Sequence, residues 1–289
     1  MKRREFVKYS FATIGTLAVA PSYRLFAVED VKKYANELVT LGKTGMKVSR
    51  LAMGTGTMGI NHHSEETDEL GIKGLSSLLE AAYNLGINFW DSADQYGSHP
   101  HLKEALKHVP REKVVILTKS HATTSSKMKS DLDRFRNEIG TDYLDIVLLH
   151  MMTDADWQER YQGAMEELAK AREDGIIRAH GVSCHSLEAL ESAATSDWVQ
   201  VCLARINYAG VVMDADVKTV EKVLHTMHDN GKGVVGMKIF GAGQLAHQPD
   251  KCLRYVLGLD CVDAFTIGQR SQNEMRDLLR RIPAASVKL

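Results

Sequence analysis

Eight short apolar segments recur along this 289-residue chain, and amphipathic stretches with helical periodicity lie between them. The segments occupy residues 51–53, 87–90, 114–117, 146–149, 178–183, 199–205, 234–237 and 264–267. Apolar strands without polar alternation are buried on both faces, which is typical of parallel sheets covered by helices. Eight of them in regular alternation with helices favour an α/β fold of the TIM-type (β/α)8 barrel class over an open doubly wound sheet.

Helical periodicity predicts helices over residues 76–85, 127–139, 157–173, 216–230 and 273–281. Gly86 and Gly175 follow two of these stretches directly, and glycine is a common residue just beyond a helix end. Ahead of the barrel, residues 38–41 and 46–49 flank a turn with a glycine at each end, which predicts an N-terminal β-hairpin. The chain holds only 5 prolines and no linker-like stretch, so residues 31–289 are predicted to form one barrel domain.

The first 30 residues have the layout of an export signal rather than of a folded element. Adjacent arginines, Arg3 and Arg4, precede an apolar stretch over residues 9–20 that ends in Ala-Val-Ala before a proline. This order resembles a twin-arginine signal peptide with a spacer over residues 1–30, cleaved after Ala20 or Ala27. It predicts export to the periplasm by the twin-arginine machinery, with no stable membrane anchor because the apolar stretch is too short. A basic tail or an amphipathic helix is the alternative.

Charge and cysteine content exclude several classes of partner. The formal net charge is -1 without long runs of one sign, so no nucleic-acid partner is predicted. The four cysteines are Cys184, Cys202, Cys252 and Cys261, and no two of them form a CxxC pair. Their spacing predicts no metal or iron–sulfur site, and buried thiols are favoured, with a Cys252–Cys261 disulfide left open.

Four ionisable residues stand where predicted barrel strands end. The second strand runs into the segment that holds Asp91 and Tyr96, the third ends at residues 118–120 with Lys119, and the fourth ends at His150. Because the active sites of such barrels lie at the carboxyl ends of the strands, these side chains are expected to converge on one rim. An ionisable group in that position needs a partner to offset its desolvation.

Residues 91–97, Asp-Ser-Ala-Asp-Gln-Tyr-Gly, resemble the signature of the aldo-keto reductase family, and Lys119 and His150 match the rest of its catalytic tetrad. The resemblance runs from the hairpin to about residue 281. It implies that the chain reduces small aldehydes or ketones to alcohols, or the reverse, with a nicotinamide cofactor. Tyr96 would be the general acid and base, Lys119 would lower its pKa, Asp91 would hold Lys119, and His150 would polarise the carbonyl.

The same resemblance implies a cofactor site along the rim. Its residues are Gly54, Thr55, Ser183, Asn207, Lys238, Gly241, Gly243, Leu245, Arg270, Ser271 and Glu274. Ser183 and Asn207 would bind the nicotinamide amide, and the glycines of residues 238–245 would let the backbone approach the pyrophosphate. Arg270 resembles the arginine with which the family binds an adenosine 2′-phosphate, and this favours NADP(H) over NAD(H).

Two other functions fit parts of the pattern. His62, His63, His99 and His101 suggest a metal hydrolase, but their positions beyond the strands predict solvated loop histidines and no metal. The second alternative is a cofactor-binding regulatory or sensor protein of the same fold with little turnover. The sequence predicts no particular oligomeric state.

Overall fold

The computed structural model describes residues 32–287, and within them eight parallel strands close into a barrel. The strands are β1 (Leu38–Thr40), β2 (Lys47–Ser49), β3 (Leu51–Gly54), β4 (Phe89–Asp91), β5 (Val115–Ser120), β6 (Leu144–Met152), β7 (Ile177–Cys184), β8 (Val201–Arg205), β9 (Gly233–Met237) and β10 (Ala264–Gly268). Strands β3 to β10 pair in chain order, and β10 closes the barrel against β3, with Phe265 beside Leu51.

Helices cover the outside of the barrel. They are α1 (Glu65–Asn84), α2 (His99–Ala105), α3 (Ser125–Ile139), α4 (Trp157–Arg160), α5 (Gln162–Glu173), α6 (Leu187–Thr195), α7 (Val217–Asp229), α8 (Pro249–Gly258) and α9 (Gln272–Ala285). Outward-facing strand residues and the inner faces of the helices form one buried apolar layer. A second buried cluster, which includes Phe89, Leu117 and Leu148, fills the barrel interior. The fold is therefore two concentric layers, as strands buried on both faces require.

The antiparallel hairpin β1–β2 closes one end of the barrel. Leu41, Met46 and Val48 are fully or almost fully buried, and they belong to the same cluster as the interior strand residues. Because the hairpin seals the amino ends of the strands, the open end lies at their carboxyl ends, where the predicted site residues stand.

The predicted fold class is confirmed, including all eight barrel strands and the hairpin. Some boundaries differ. Helix α1 begins well before residue 76, because Ser64 caps it through the Thr67 amide, and Gly71 (φ 58°) interrupts its helical backbone. The stretch predicted as one helix over residues 157–173 is two helices that meet at Tyr161. Strand β5 ends at Ser120, as predicted, and Lys119 is its second-last residue. Strand β6 runs to Met152, two residues past the predicted end at His150.

The predicted export signal over residues 1–30 lies outside the described residues and stays a prediction. No helix in residues 32–287 combines the length and apolarity that a bilayer span needs. The four cysteines are buried free thiols, as favoured, and Cys252 and Cys261 are not bonded to each other.

Candidate active site

A buried ion pair connects two neighbouring strands at the open end of the barrel. The Lys119 ammonium on β5 donates to Asp91 Oδ1 on β4 at 2.5 Å and to the Ser92 carbonyl at 2.7 Å. Burial by itself lowers the pKa of Lys119, but the Asp91 carboxylate and Tyr96 raise it by more, so it lies above its ordinary value. A fully buried amine with this geometry stays charged at neutral pH.

Tyr96 places its ring against that ammonium. It ends a short 3-10 turn, Asp94–Tyr96, which Gly97 terminates in the left-handed region at φ 66°. Lys119 Nζ lies 4.6 Å from the centroid of the Tyr96 ring. Burial raises the pKa of Tyr96, Lys119 lowers it, and the net direction is upward. The predicted effect of Lys119 is therefore present but outweighed by burial, and the phenol is protonated at neutral pH.

His150 completes the group of four. Its ring meets Tyr96 edge to face, with the centroids 5.8 Å apart. Burial, and secondarily the charge of Lys119, lowers the pKa of His150 to about 2, so the imidazole is neutral and offers one N–H donor. His150 Nδ1 is buried without a hydrogen-bond partner in residues 32–287. The structure thus brings together Asp91, Tyr96, Lys119 and His150, the residues assigned to catalysis.

A polar cluster that was not predicted from the sequence holds the Tyr96 turn. Arg134 on α3 donates to both carboxylate oxygens of Asp94, at 2.6 and 2.8 Å, and to Glu138 at 3.0 Å. His99 Nδ1 lies 2.8 Å from Glu138, and His99 Nε2 lies 2.8 Å from the Thr118 hydroxyl. These contacts attach the turn that carries Tyr96 to α3. The i,i+4 spacing of Arg134 and Glu138 on α3 indicates their ion pair from the sequence. The contact of Arg134 with Asp94 has no such signal, because the two residues are distant in sequence.

The predicted solvent exposure of the histidines is wrong for two of the four. His62 and His63 are exposed as predicted, but His99 and His101 are 2% and 6% exposed. Both lie on α2, whose inner face packs on the barrel, so the helix buries them. Asp94, His99 and Glu138 come close enough together to hold a cation. Arg134 already supplies a cation to two of these three groups.

A cleft of about 550 Å³ runs from Asp91 and Tyr96 to the start of α9. This volume is in the range of small-molecule sites. The predicted cofactor residues that line it are Gly54, Lys238, Gly243, Arg270 and Glu274. The φ of Gly243 is 91°, a backbone conformation that favours glycine. The space beside its Cα is empty, since a Cβ placed there would meet no atom within 4 Å. Its backbone is therefore open to a group bound in the cleft.

Other predicted cofactor residues build the framework around the cleft. Thr55 is buried and donates to the Asp91 carbonyl at 2.9 Å, and Ser183 accepts from the Met151 amide at 2.9 Å. Asn207 donates to the Val211 carbonyl at 2.7 Å and accepts from the Val211 amide, so its amide group is used within its own loop. A contact of Asn207 with a nicotinamide would compete with these bonds.

The remaining predicted cofactor residues belong to loops at the two sides of the cleft. Leu245 and Gly241 are buried in the loop after β9. Ser271 caps α9 by accepting from the Glu274 amide at 3.2 Å. Arg270 is exposed and donates to Glu69 at 2.9 Å and to Glu65 at 3.3 Å, so two carboxylates of α1 already pair with it.

Comparison with known proteins gives a consistent result. The model of the Aldo/keto reductase family matches residues 50–255. D-threo-aldose 1-dehydrogenase of a Pseudomonas species is 24% identical over 248 residues, which cover 74% of this chain and 73% of that protein. L-galactose dehydrogenase of Arabidopsis thaliana is 25% identical over 226 residues, covering 73% of this chain and 68% of that protein.

Solved structures share the fold. An aldo-keto reductase candidate from Pseudomonas aeruginosa superposes with a TM-score of 0.72 at 22% identity, covering 90% of this chain and 99% of that one. The holo form of a Bacillus halodurans aldo-keto reductase gives a TM-score of 0.68 at 16% identity, covering 87% of this chain and 91% of that one.

Proposed function

The chain belongs to the aldo/keto reductase family of oxidoreductases, and from that membership we propose that it reduces small aldehydes or ketones to alcohols, or catalyses the reverse, with NAD(P)H. The observation that carries the proposal is the position of the charged Lys119–Asp91 pair against the Tyr96 ring, with neutral His150 at its edge. A pure binding protein has no need for a cation buried beside a phenol.

Tyr96 donates the proton in reduction and accepts it in oxidation. In reduction its hydroxyl donates to the carbonyl oxygen as negative charge develops there. The phenolate that results is stabilised by the Lys119 ammonium, which Asp91 holds in place. In alcohol oxidation the same phenolate accepts the proton. The raised pKa of Tyr96 keeps the phenol protonated in the resting protein, and this is the state that reduction requires.

The substrate oxygen is oriented by His150. Because its imidazole is neutral and buried, it donates one hydrogen bond without adding a positive charge beside Lys119. A donor aimed at the carbonyl oxygen polarises the bond and stabilises the developing alkoxide.

The cleft residues fit a nicotinamide cofactor. The open backbone at Gly243 suits a pyrophosphate, and Gly54, Arg270 and Glu274, which also line the cleft, would contact the cofactor along its length. When bound, the nicotinamide supplies the hydride, which no side chain can provide. We favour NADP(H) over NAD(H) because Arg270 is an exposed arginine at the far end of the cleft, and its exposed pairs with Glu65 and Glu69 are weak enough to exchange for a phosphate.

Turnover with a panel of aldehydes tests the function. We expect the protein to consume NADPH with formation of the alcohol, and to bind NADPH more tightly than NADH. Arg270→Leu should weaken NADPH binding by about five- to tenfold and leave NADH binding unchanged. The matched control is Arg276→Leu, an exposed arginine of α9 outside the cleft. Tight cofactor binding without turnover of any aldehyde would instead favour the regulatory or sensor alternative.

Export by the twin-arginine route is a further part of the proposal. It is supported by the paired arginines Arg3 and Arg4 and by the apolar stretch over residues 9–20. Fractionation of cells that express the full chain should find it outside the cytoplasm, and the double variant R3K/R4K should stay inside. Equal distribution of the two proteins would contradict this route.

A further inference from the structure

A histidine, an aspartate and a cysteine come together on the outside of the barrel. His225 lies on α7, and Asp260 and Cys261 lie between α8 and β10. One ligand atom from each side chain lies within 4.8 Å of the other two, and His225 Nδ1 is 3.5 Å from Asp260 Oδ1. Because Asp260 and Cys261 stand just before β10, the cluster lies at the amino ends of the strands, opposite to the cleft.

Cys261 is the fixed member of this cluster. Its side chain is fully buried, and it makes no hydrogen bond to another residue in the range 32–287. The His225 and Asp260 side chains are 48% and 87% exposed, so both can turn toward the sulfur without disturbing the core. The spacing of the cysteines predicted no metal site, because the three ligands come from two segments that are distant in the chain.

The surroundings of the sulfur are negative. Burial raises the pKa of the Cys261 thiol to about 11, and the carboxylates of Asp260, Glu221 and Asp263 contribute to the rise. Carboxylates that disfavour a thiolate favour a cation at the same place, since an opposite charge offsets both effects. A bound divalent ion would therefore reverse the balance that keeps the thiol protonated.

The other charged groups near the cluster have partners of their own. Glu221 accepts from the Tyr255 hydroxyl at 2.6 Å. Asp263 accepts from two backbone amides, at 3.0 and 3.2 Å. Lys33 is close enough to interact electrostatically with Asp260, but it donates to a backbone carbonyl of α8 at 2.6 Å and forms no ion pair with Asp260 in the part of the chain that the structure describes. Asp260 thus remains available as a ligand.

We propose that His225, Asp260 and Cys261 bind one Zn²⁺ ion. Imidazole nitrogen, thiolate sulfur and carboxylate oxygen are together the ligands of zinc, whereas magnesium and calcium prefer oxygen alone. In a tetrahedral site with bonds of about 2.0–2.3 Å, the ligand atoms stand about 3.3–3.8 Å apart. The distance between His225 and Asp260 already fits this geometry. Cys261 binds as the thiolate and releases its proton to solvent, and water takes the fourth position.

Such an ion would join α7 to the segment that enters β10. It would stabilise the closed end of the barrel and take no part in the proposed reduction, so its test needs no turnover. Because a ligand that binds only the folded state raises stability, zinc should raise the melting temperature of the wild-type protein. The same addition should leave the melting temperature of Cys261→Ser unchanged.

Calorimetric titration of the reduced, metal-free full chain with Zn²⁺ tests the site. His225→Gln and Cys261→Ser should each weaken binding by at least about 100-fold, since even groups that only orient a metal ligand are worth about 10- to 100-fold. The matched controls are His108→Gln, an exposed histidine elsewhere, and Cys252→Ser, a buried thiol outside the cluster. Both should bind as wild type does. His225 is exposed, so His225→Gln tests the site even if Cys261→Ser does not fold.

Cobalt identifies the sulfur ligand directly. Co²⁺ added to wild type and to Cys252→Ser should give a thiolate-to-cobalt charge-transfer band, and Cys261→Ser should lack it. Equal zinc binding by wild type, His225→Gln and Cys261→Ser would overturn the inference. So would zinc binding that His99→Gln abolishes and His225→Gln leaves intact, because the ion would then lie at the cluster of Asp94, His99 and Glu138.

Discussion

The acidity of Tyr96 is a balance between burial and one neighbouring charge. Burial raises the pKa of the phenol, and the Lys119 ammonium opposes that rise. Lys119 keeps its charge because Asp91, with a smaller contribution from Tyr96, offsets the effect of burial on the pKa of the Lys119 ammonium. Each member of the group therefore depends on the next, and the loss of one charge should shift the titration of another.

Replacement of Lys119 tests this dependence. In Lys119→Met the influence that lowers the pKa of Tyr96 is gone, so that pKa rises further. Alcohol oxidation requires the phenolate, and its pH–rate profile should therefore move to higher pH, with kcat reduced by about 10²- to 10⁴-fold at neutral pH. The measurement is kcat/KM for alcohol oxidation against pH in the variant and in wild type. A profile with an unchanged midpoint would show that Lys119 does not set the acidity of Tyr96.

The loop between β3 and α1 is the element that encloses the Tyr96 ring. A Cβ on Gly56 would lie 2.1 Å from ring atom Cε2, and a Cβ on Gly59 would lie 2.2 Å from Cδ1. No real Cβ approaches a ring so closely, so these two positions admit only glycine while Tyr96 keeps its place. Arg134 also fixes the turn that carries the ring through its pair with Asp94, and His99 contacts Glu138, a second partner of Arg134.

Gly56→Ala and Gly59→Ala should displace Tyr96 while leaving the barrel folded. We expect kcat to fall by about tenfold or more, because small misplacements of reacting groups are costly, and NADPH affinity to change little. Gly258→Ala is the control, since a Cβ at this α8 position would meet no atom within 4 Å. Circular dichroism and steady-state kinetics make the comparison. Full activity of Gly56→Ala would mean that the Tyr96 ring does not sit against this loop.

At the scale of the whole molecule, one end of the barrel holds the candidate site and the other end holds contacts that stabilise the fold. The carboxyl ends of the strands hold the tetrad and the cleft. The amino ends hold the hairpin and a buried carboxylate, Asp145, which accepts from Arg111 at 2.7 Å, from Arg178 at 2.7 Å and from the Ile116 amide at 2.9 Å. This arrangement connects neighbouring strands far from the chemistry. Polar residues at this end of such barrels serve stability.

Asp145→Asn should therefore reduce stability without changing the group formed by Asp91, Tyr96, Lys119 and His150. Removing one partner of a buried ion pair leaves the others uncompensated, although Arg178 is partly solvated, and we expect a loss of about 2–4 kcal/mol in unfolding free energy. Urea denaturation measures it. Asp133→Asn, which removes an exposed pair with Arg136, is the control and should change stability little. Equal stability of the two variants would contradict the structural role of Asp145.

The barrel could be predicted because strands that are buried on both faces consist of consecutive apolar residues. Each of the eight apolar segments forms a barrel strand in the structure. It also predicted the convergence of Asp91, Tyr96, Lys119 and His150, because parallel strands end at one rim. It missed the attachment of the Tyr96 turn by Arg134 and the enclosure of the ring by Gly56. Those contacts join segments that are distant in the chain, and no local sequence pattern predicts either of them.

The most direct test of the account is the rate of Tyr96→Phe, which removes one hydroxyl and keeps the ring. With NADPH and an aldehyde that wild type reduces, kcat should fall by about 10²- to 10⁴-fold, the contribution of a general acid. NADPH should bind both proteins with the same affinity, because the ring still fills its place in the cleft. Reduction by Tyr96→Phe at the wild-type rate would contradict the central claim that this phenol delivers the proton.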